Sequence, residues 1–378
     1  MPRRALVRGL IVGVAYAGLA CSLLVDTDGL DGSGPSGPGP TSPEGGGEAA
    51  APDGDVVGRD ATSDAPRGAP PPSCAAPGLG RSDCGPSGAE DCCTSKRVEG
   101  GVYKRGHDGV ILFDPTHPAQ VSSFELDRFE VTVGRFRSFV DAVATAGWRP
   151  AAGSGKHGHL SAGRGLTRAP ADPGQPFEAG WDPTLSAALS GSLLEWGARL
   201  SCHPSYQTWS SSPNAKDTFP INCVSWVEAA AFCISDGGFL PSEAELDYAG
   251  AGGDQQRVYP WSSPPTSTTV DCSHANLAAC GAPPDSAPNA VGSRSPKGDG
   301  RWGHADLTGN VFEWAADIHI DPYVDPCVDC VGNADAGARS AHGGGYFNPT
   351  SGAANGYRYK YEPDARDIAL GFRCARSP

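Results

Sequence analysis

The segment Asp306-Leu307-Thr308-Gly309-Asn310-Val311-Phe312-Glu313-Trp314 sets two carboxylates around a glycine-containing turn. Hard Ca2+ is held by carboxylate oxygens with backbone carbonyls between them, so this spacing suits a calcium-binding turn. A turn capped by Asp306 and Glu313 without any ion would use the same residues. The cysteines offer other chemistry. Cys74, Cys84, Cys92 and Cys93 crowd into a small polar segment, and Cys327-Val328-Asp329-Cys330 forms a C-x-x-C. Either set could hold zinc, and the second could be redox-active. Adjacent Cys92 and Cys93 read more simply as halves of two disulfides. The C-x-x-C has neither a second C-x-x-C nor a helix signal close behind it, so it too reads as a structural disulfide. Histidines at 157, 159, 203, 274, 304, 319 and 342 are scattered, with only His157 and His159 close together in a glycine-rich loop. Each reads as a hydrogen-bonded or exposed side chain.

The elements that must position these groups occupy only part of the chain. Of 378 residues, 29 are Lys or Arg and 43 are Asp or Glu, a formal charge of −14 that disfavours nucleic acid as a partner. Arg3, Arg4 and Arg8 precede an apolar stretch from Leu10 to Ala20, too short to span a bilayer that needs about 20 apolar residues. It reads as an export signal over 1–21, and Arg3-Arg4 gives it a faint twin-arginine look. Cys21 follows small residues at its end, as at a bacterial lipoprotein cleavage site, which predicts a lipid anchor in the cell envelope. Ala15-Tyr16-Ala17 or Gly18-Leu19-Ala20 would equally serve an ordinary signal peptidase and leave a secreted or periplasmic protein. Residues 22–73 are rich in Gly, Pro, Ser, Ala and Asp, with nine acids and two bases, and read as a disordered, self-repelling tether. Residues 74–96 form a Cys-rich cap, leaving 97–378 as one large domain. Thirteen cysteines point to an oxidising compartment, and without Cys21 the remaining twelve can all pair.

Within that domain, Val133, Phe136, Val140 and Val143 share one helical face between Thr132 as N-cap and Gly147 as stop. Ser225 to Glu228 and Ser242 to Glu245 are capping boxes, predicting helices that end at Gly237-Gly238 and Gly250. Between Pro150 and Pro220 the composition suggests long irregular excursions. Segments around Trp261, Trp302 and Trp314 read as loops and short strands. The fold class is α+β with sparse regular structure.

Val98 to Tyr103, Phe124 to Val133 (FELDRFEVTV), Phe219 to Trp226 (FPINCVSW), Phe239 to Tyr248 (FLPSEAELDY), Tyr259-Pro260-Trp261, Leu307 to Trp314 (LTGNVFEW), Gly343 to Tyr346 (GGGY) and Leu370 to Arg373 (LGFR) run in this order. The series, over roughly 97–378, resembles the sulfatase-modifying-factor family, the formylglycine-generating-enzyme-like domain. The resemblance implies a C-type-lectin-like variant fold. It also implies calcium held by the side chains of Asp306 and Glu313 and the backbone oxygens of Gly309 and Val311, with Asn276-Leu277 matching part of a second site.

Well-known members of the family use copper on two cysteines to oxidise a substrate cysteine to formylglycine inside sulfatases. Here Gly345 replaces the serine of the Gly-Gly-Ser-Tyr segment, and Asn348 occupies the first cysteine's place. Gly356 or Asn355 stands at the second. An amide is a poor Cu(I) ligand, so copper chemistry is not expected. Cys374 reads as structural. Iron-dependent relatives take their metal from an additional helical domain, and no segment here matches it. Two readings follow. One is a binding or structural module for a protein, peptide or carbohydrate; exposed aromatics would suit such a partner, although Trp181, Trp196 and Trp209 fit local core as well. The other is an enzyme of the same family, of oxidoreductase type, using another cofactor in the ancestral cleft around Tyr346, Asn348 and Tyr357.

Overall fold

The computed structural model describes residues 70–280, 287–333 and 337–378. The export signal and lipid-anchor cysteine expected at 1–21, and residues 22–69, lie outside the described residues. Strands β1 (Ser95–Val98), β2 (Gly101–Lys104), β3 (Pro118–Val121) and β4 (Phe124–Asp127) precede helix α1 (Val133–Thr145). Then come β5 (Thr167–Ala169), α2 (Leu193–Arg199), α3 (Trp226–Ser235) and α4 (Glu243–Ala251). The chain closes with β6 (Phe312–Ile318), β7 (Cys327–Val328), β8 (Cys330–Gly332), β9 (Arg339–His342), β10 (Tyr359–Tyr361), β11 (Leu370–Gly371) and β12 (Ala375–Arg376).

The strands are short because glycine and proline interrupt them, and they assemble into several small sheets. β6 is the spine of a four-stranded sheet of order β10-β9-β6-β11, with β9 antiparallel and β11 parallel to it. This register sets Glu313 opposite His342 on one side and beside Gly371 on the other. The sheets β1-β4-β12 and β2-β3-β7 and the pair β5-β8 complete the strand framework.

The helices start where side chains satisfy the first amides. Thr132 accepts from Arg135 N at α1, and Ser225 and Ser242 form full capping boxes with Glu228 and Glu245 at α3 and α4. α1 ends at Thr145 ahead of Gly147, which has φ 68°. Its apolar face is the centre of the main core. Phe136 stacks on Phe232 of α3 with centroids 5.6 Å apart and meets Trp196 of α2 edge-on at 5.9 Å. The excursion between Pro150 and Pro220 is not wholly irregular, since it carries β5 and α2. Ser192 caps α2, and Trp196 is fully buried. This helix escapes detection in the sequence because it has only seven residues, and α1 and α3 supply the surface that stabilises it.

All twelve cysteines of the described residues are paired. The bonds are Cys74–Cys93, Cys84–Cys92, Cys202–Cys223, Cys233–Cys374, Cys272–Cys280 and Cys327–Cys330. The Cys-rich segment is therefore disulfide-stapled, and Cys327–Cys330 closes on itself. This segment packs directly on α1. Gly134 has no room for a side chain, because an added Cβ would lie 2.0 Å from Leu79 O. Arg135 is fully buried and donates to Asp127 at 2.9 Å and Asp236 at 2.6 Å, and also to the Ser73 hydroxyl and the Cys92 carbonyl. Arg376 reaches the same two carboxylates. Burial would raise the Asp127 carboxyl, but Arg376 and Arg135 hold it below its ordinary value. This network ties β4, α1, the Cys-rich segment and the C-terminus together. Ser73, at the end of the tether read from composition, is buried within it.

Candidate functional site

The turn from Asp306 to Glu313 is built under backbone strain. Asp306 (φ 55°), Gly309 (φ 86°) and Asn310 (φ 61°) all adopt left-handed conformations. Glycine is required at 309, where a Cβ would lie 2.6 Å from Asn276 O. The two regions singled out for calcium thus pack on one another: Asn310 N donates to Asn276 O at 2.9 Å, and Asn276 Nδ2 reaches Asn310 Oδ1 at 3.3 Å. Asn276 Nδ2 also donates to Ala287 O, and Leu277 is buried beside Ala353.

Asp306 Oδ2 accepts from Gly292 N at 2.5 Å. Glu313 is held at both oxygens by Arg373, at 2.6–2.9 Å. Glu130, which no local sequence signal ties to this turn, is fully buried and accepts from Asn310 Nδ2 at 2.6 Å and Val311 N at 3.2 Å. Three carboxyl groups, Glu130, Asp306 and Glu313, are buried together, and of these Arg373 bonds only Glu313 while acting on the other two through space. Burial, reinforced by Asp306 and Glu313, pushes Glu130 well above the usual carboxylate range. Burial pushes Asp306 up to about 6. The oxygen donors and the excess of acid suit a hard divalent cation, which at this turn would compete with Arg373 for Glu313. Among the described residues, the one group of three His, Cys, Asp or Glu ligand atoms within 4.8 Å of one another is Cys74, Asp91 and Cys93. Its two sulfurs are bonded to each other and offer no thiolate.

The positions that the family resemblance matched to a catalytic cleft are each engaged by neighbouring protein groups. Asn348 Oδ1 accepts from Gly345 N at 2.8 Å, and Asn348 N donates back to Gly345 O at 2.8 Å, so the amide completes its own turn. Its Nδ2 lies 3.4 Å from the Tyr359 hydroxyl. A Cβ on Gly345 would meet Ala369 Cβ at 2.8 Å, so this position favours glycine. Gly356 (φ 83°) faces Gly106, where a Cβ would lie 3.0 Å from Gly106 Cα. Asn355 donates to the backbone oxygen and carboxylate of Asp247. Tyr346 is buried near Tyr206, and Tyr357 packs partly buried beside Val258 and Ala354.

His342 does not join Asn348. Its Nε2 lies 3.1 Å from Glu243 Oε1, and Arg358 grips both oxygens of Glu243 at 2.7 and 2.8 Å. Burial would raise Glu243, but hydrogen bonds from His342 and Arg358 hold it well below its ordinary value. Asp317 sits behind, accepting from Glu243 N and Gly332 N at 2.6 Å, and burial pushes its carboxyl up to about 7. Glu243 and Asp247 are spaced i, i+4 on α4, whose residues are all buried. That carboxylate pair on one helical face was the available sequence signal for this cluster. His157 is buried between Glu178 and Glu245, each at 3.1 Å. Both histidines are thus paired structurally.

A model of the sulfatase-modifying factor enzyme 1-like domain matches residues 82–378, and the chain belongs to that family. The sparse α+β architecture is accordingly the formylglycine-generating-enzyme fold, the C-type-lectin-like variant the sequence predicts. Over 275 residues the chain is 31% identical to a formylglycine-generating enzyme of Streptomyces coelicolor, covering 69% of this chain and 80% of that protein. Over 164 residues it is 30% identical to the inactive C-alpha-formylglycine-generating enzyme 2 of Bos taurus, covering 42% and 50% respectively. The solved structure of PvdO from Pseudomonas aeruginosa aligns with TM-score 0.49 at 21% identity, over 75% of this chain and 93% of that one. The six disulfides among the described residues mark an exported protein. No helix among the described residues is long and apolar enough to cross a membrane.

Proposed function

We propose that this exported family member lacks copper-dependent formylglycine chemistry and acts as a binding module, carried on the cell envelope by a lipid on Cys21. The observation that supports this most strongly is the complete pairing of Cys74 to Cys374 in disulfides. The positions that the resemblance matches to the family's copper cysteines hold Asn348, turned onto its own loop, and either Gly356, against Gly106, or Asn355, bonded to Asp247. Cu(I) is selected by thiolate or thioether, and these positions offer neither. One relative bears the description inactive, in keeping with loss of chemistry on this scaffold. Calcium belongs to the proposal as a structural ion at Asp306, Gly309, Val311 and Glu313, supported by the acid excess there. A protein, peptide or carbohydrate is the proposed partner class.

The test incubates the purified chain with copper and a sulfatase-derived cysteine peptide. No aldehyde above the protein-free control is expected, and elemental mass spectrometry is expected to find calcium without stoichiometric copper or iron. Aldehyde formation, or stoichiometric copper, overturns the reading. For the anchor, Cys21→Ala is expected to move the protein from the membrane fraction to the soluble one. Unchanged membrane association and processing would remove the lipid from the proposal.

A further inference from the structure

A cavity of about 480 Å3 lies between the 154–185 excursion, the outer face of α3 and strands β6, β8 and β9. Its volume is in the range of small-molecule sites, roughly 300–1,000 Å3. None of the ancestral cleft positions Gly345, Asn348 or Gly356 lines it. Trp181, Leu185, Trp226 and Ile234 supply an apolar wall, and Arg339 enters from β9.

Arg339 is the feature that points to a ligand. Its guanidinium carbon lies 3.7 Å from the centroid of the Trp226 ring, and Nη1 donates to Ala316 O at 2.8 Å. Among the described residues it forms no ion pair within 4.0 Å, and its buried Nε has no hydrogen-bond partner. The other charged groups lining the cavity are engaged. Glu178 is held by His157, Asp182 accepts from Thr184 N, and Arg168 bonds Gln175 and lies 3.7 Å from Asp172. Asp317, the acid that acts on Arg339 through space, has its oxygens committed to Glu243 N and Gly332 N. Burial lowers Arg339 to about 10, which leaves it cationic at neutral pH. A desolvated cation without an anion is costly, and a ligand carboxylate relieves that cost by charge-assisted hydrogen bonds.

We infer that this cavity is a binding site for a monocarboxylate with an aromatic or branched apolar body, its carboxylate on Arg339 and its body against Trp181, Trp226 and Ile234. A single unpaired guanidinium suits one negative charge, and the nearby Glu178 and Asp182 disfavour more highly charged anions. The same chemistry is presented by a free aromatic acid and by the C-terminal residue of a peptide. The inference goes beyond the binding-module reading, because the site stands whether or not the ancestral cleft keeps activity.

The experiment is calorimetric titration of the full chain with indole-3-propionate and with its neutral amide. The acid is expected to bind at least about tenfold more tightly than the amide. Arg339→Met is expected to abolish that preference while near-ultraviolet circular dichroism stays unchanged. If that variant misfolds, Arg339→Lys, which keeps the charge but loses the planar stack, is expected to weaken the acid selectively. A short peptide ending in phenylalanine, compared with its C-terminal amide, separates the two sources: tighter binding of the free-ended peptide than of indole-3-propionate assigns the site to chain ends. Equal binding of acid and amide, or no binding of either free carboxylate at millimolar concentration, overturns the site. These outcomes are independent of the copper and aldehyde measurements.

Discussion

Arg373→Met is expected to cost roughly 3–5 kcal/mol of folding stability, read as a lowered midpoint in guanidinium unfolding followed by tryptophan fluorescence. Arg373 is fully buried and makes three hydrogen bonds to the Glu313 carboxylate. It also donates to the carbonyls of Asp127, Arg128 and Ala305. Removing it leaves Glu313 buried without its cation and still beside Glu130 and Asp306. It also strips the three carbonyls of their donor. The cost is thus mainly that of the groups left behind, because a buried charge without a partner cannot recover its hydration. Glu313→Gln combined with Arg373→Met is accordingly expected to be less damaging than the sum of the two single changes. A loss below about 1 kcal/mol for Arg373→Met would show that water or an ion replaces the guanidinium.

The second large effect is in pH dependence. Burial alone would lower the His157 pKa, but Glu245 and Glu178 raise it to about 10. A histidine whose folded pKa exceeds its unfolded value of 6.5 contributes stability that is fully present below pH 6.5. That stability is lost as pH rises from 6.5 through about 10. The full contribution is on the order of 5 kcal/mol, because each tenfold difference in proton affinity between the folded and unfolded states is worth about 1.4 kcal/mol. Glu245 has the opposite sign: burial would raise it, but His157 and the Ser242 hydrogen bonds lower it, so its contribution is lost as pH falls through its depressed range. The pair therefore favours mildly acidic pH. Unfolding free energies of the native protein and His157→Gln, measured from pH 6 to 9, are expected to converge as pH rises. The variant is expected to be less stable at the acid end. A constant difference across that range would mean that His157 is neutral in the folded protein.

Much of the helical scaffold was legible because its signals are local. Thr132, Ser225 and Ser242 each satisfy amides within three residues of themselves. The spacing of Val133, Phe136, Val140 and Val143 on α1 needs only helical periodicity to place these residues in the core. Disulfide formation was also legible, because twelve of the thirteen cysteines remain to pair once Cys21 is set aside. Their partners were not, because Cys233 and Cys374 are 141 residues apart and meet only when α3 packs against the C-terminal strand. The Asp306 to Glu313 turn was visible as a composition of acids and glycine. Its companions Glu130 and Arg373 carry no signal that links them to it, although both lie in recognisable segments, since nothing local ties residues separated by more than 50 positions.

The amino-acid sequence by itself determined the family, the helix starts, the acidic composition of residues 22–73 and the asparagine and glycine at positions 348 and 356. Those properties depend on residue identity and short-range geometry. Only the tertiary structure decided that Glu313 is held by Arg373, that His157 sits between two carboxylates, and that Asn348 closes onto its own turn. It also decided that Arg339 reaches a cavity beside Trp226 without an acidic partner among the described residues. The physical reason is common to all four. The charge state and availability of a buried side chain depend on which groups the fold brings within about 4 Å of it, and those groups come from distant parts of the chain.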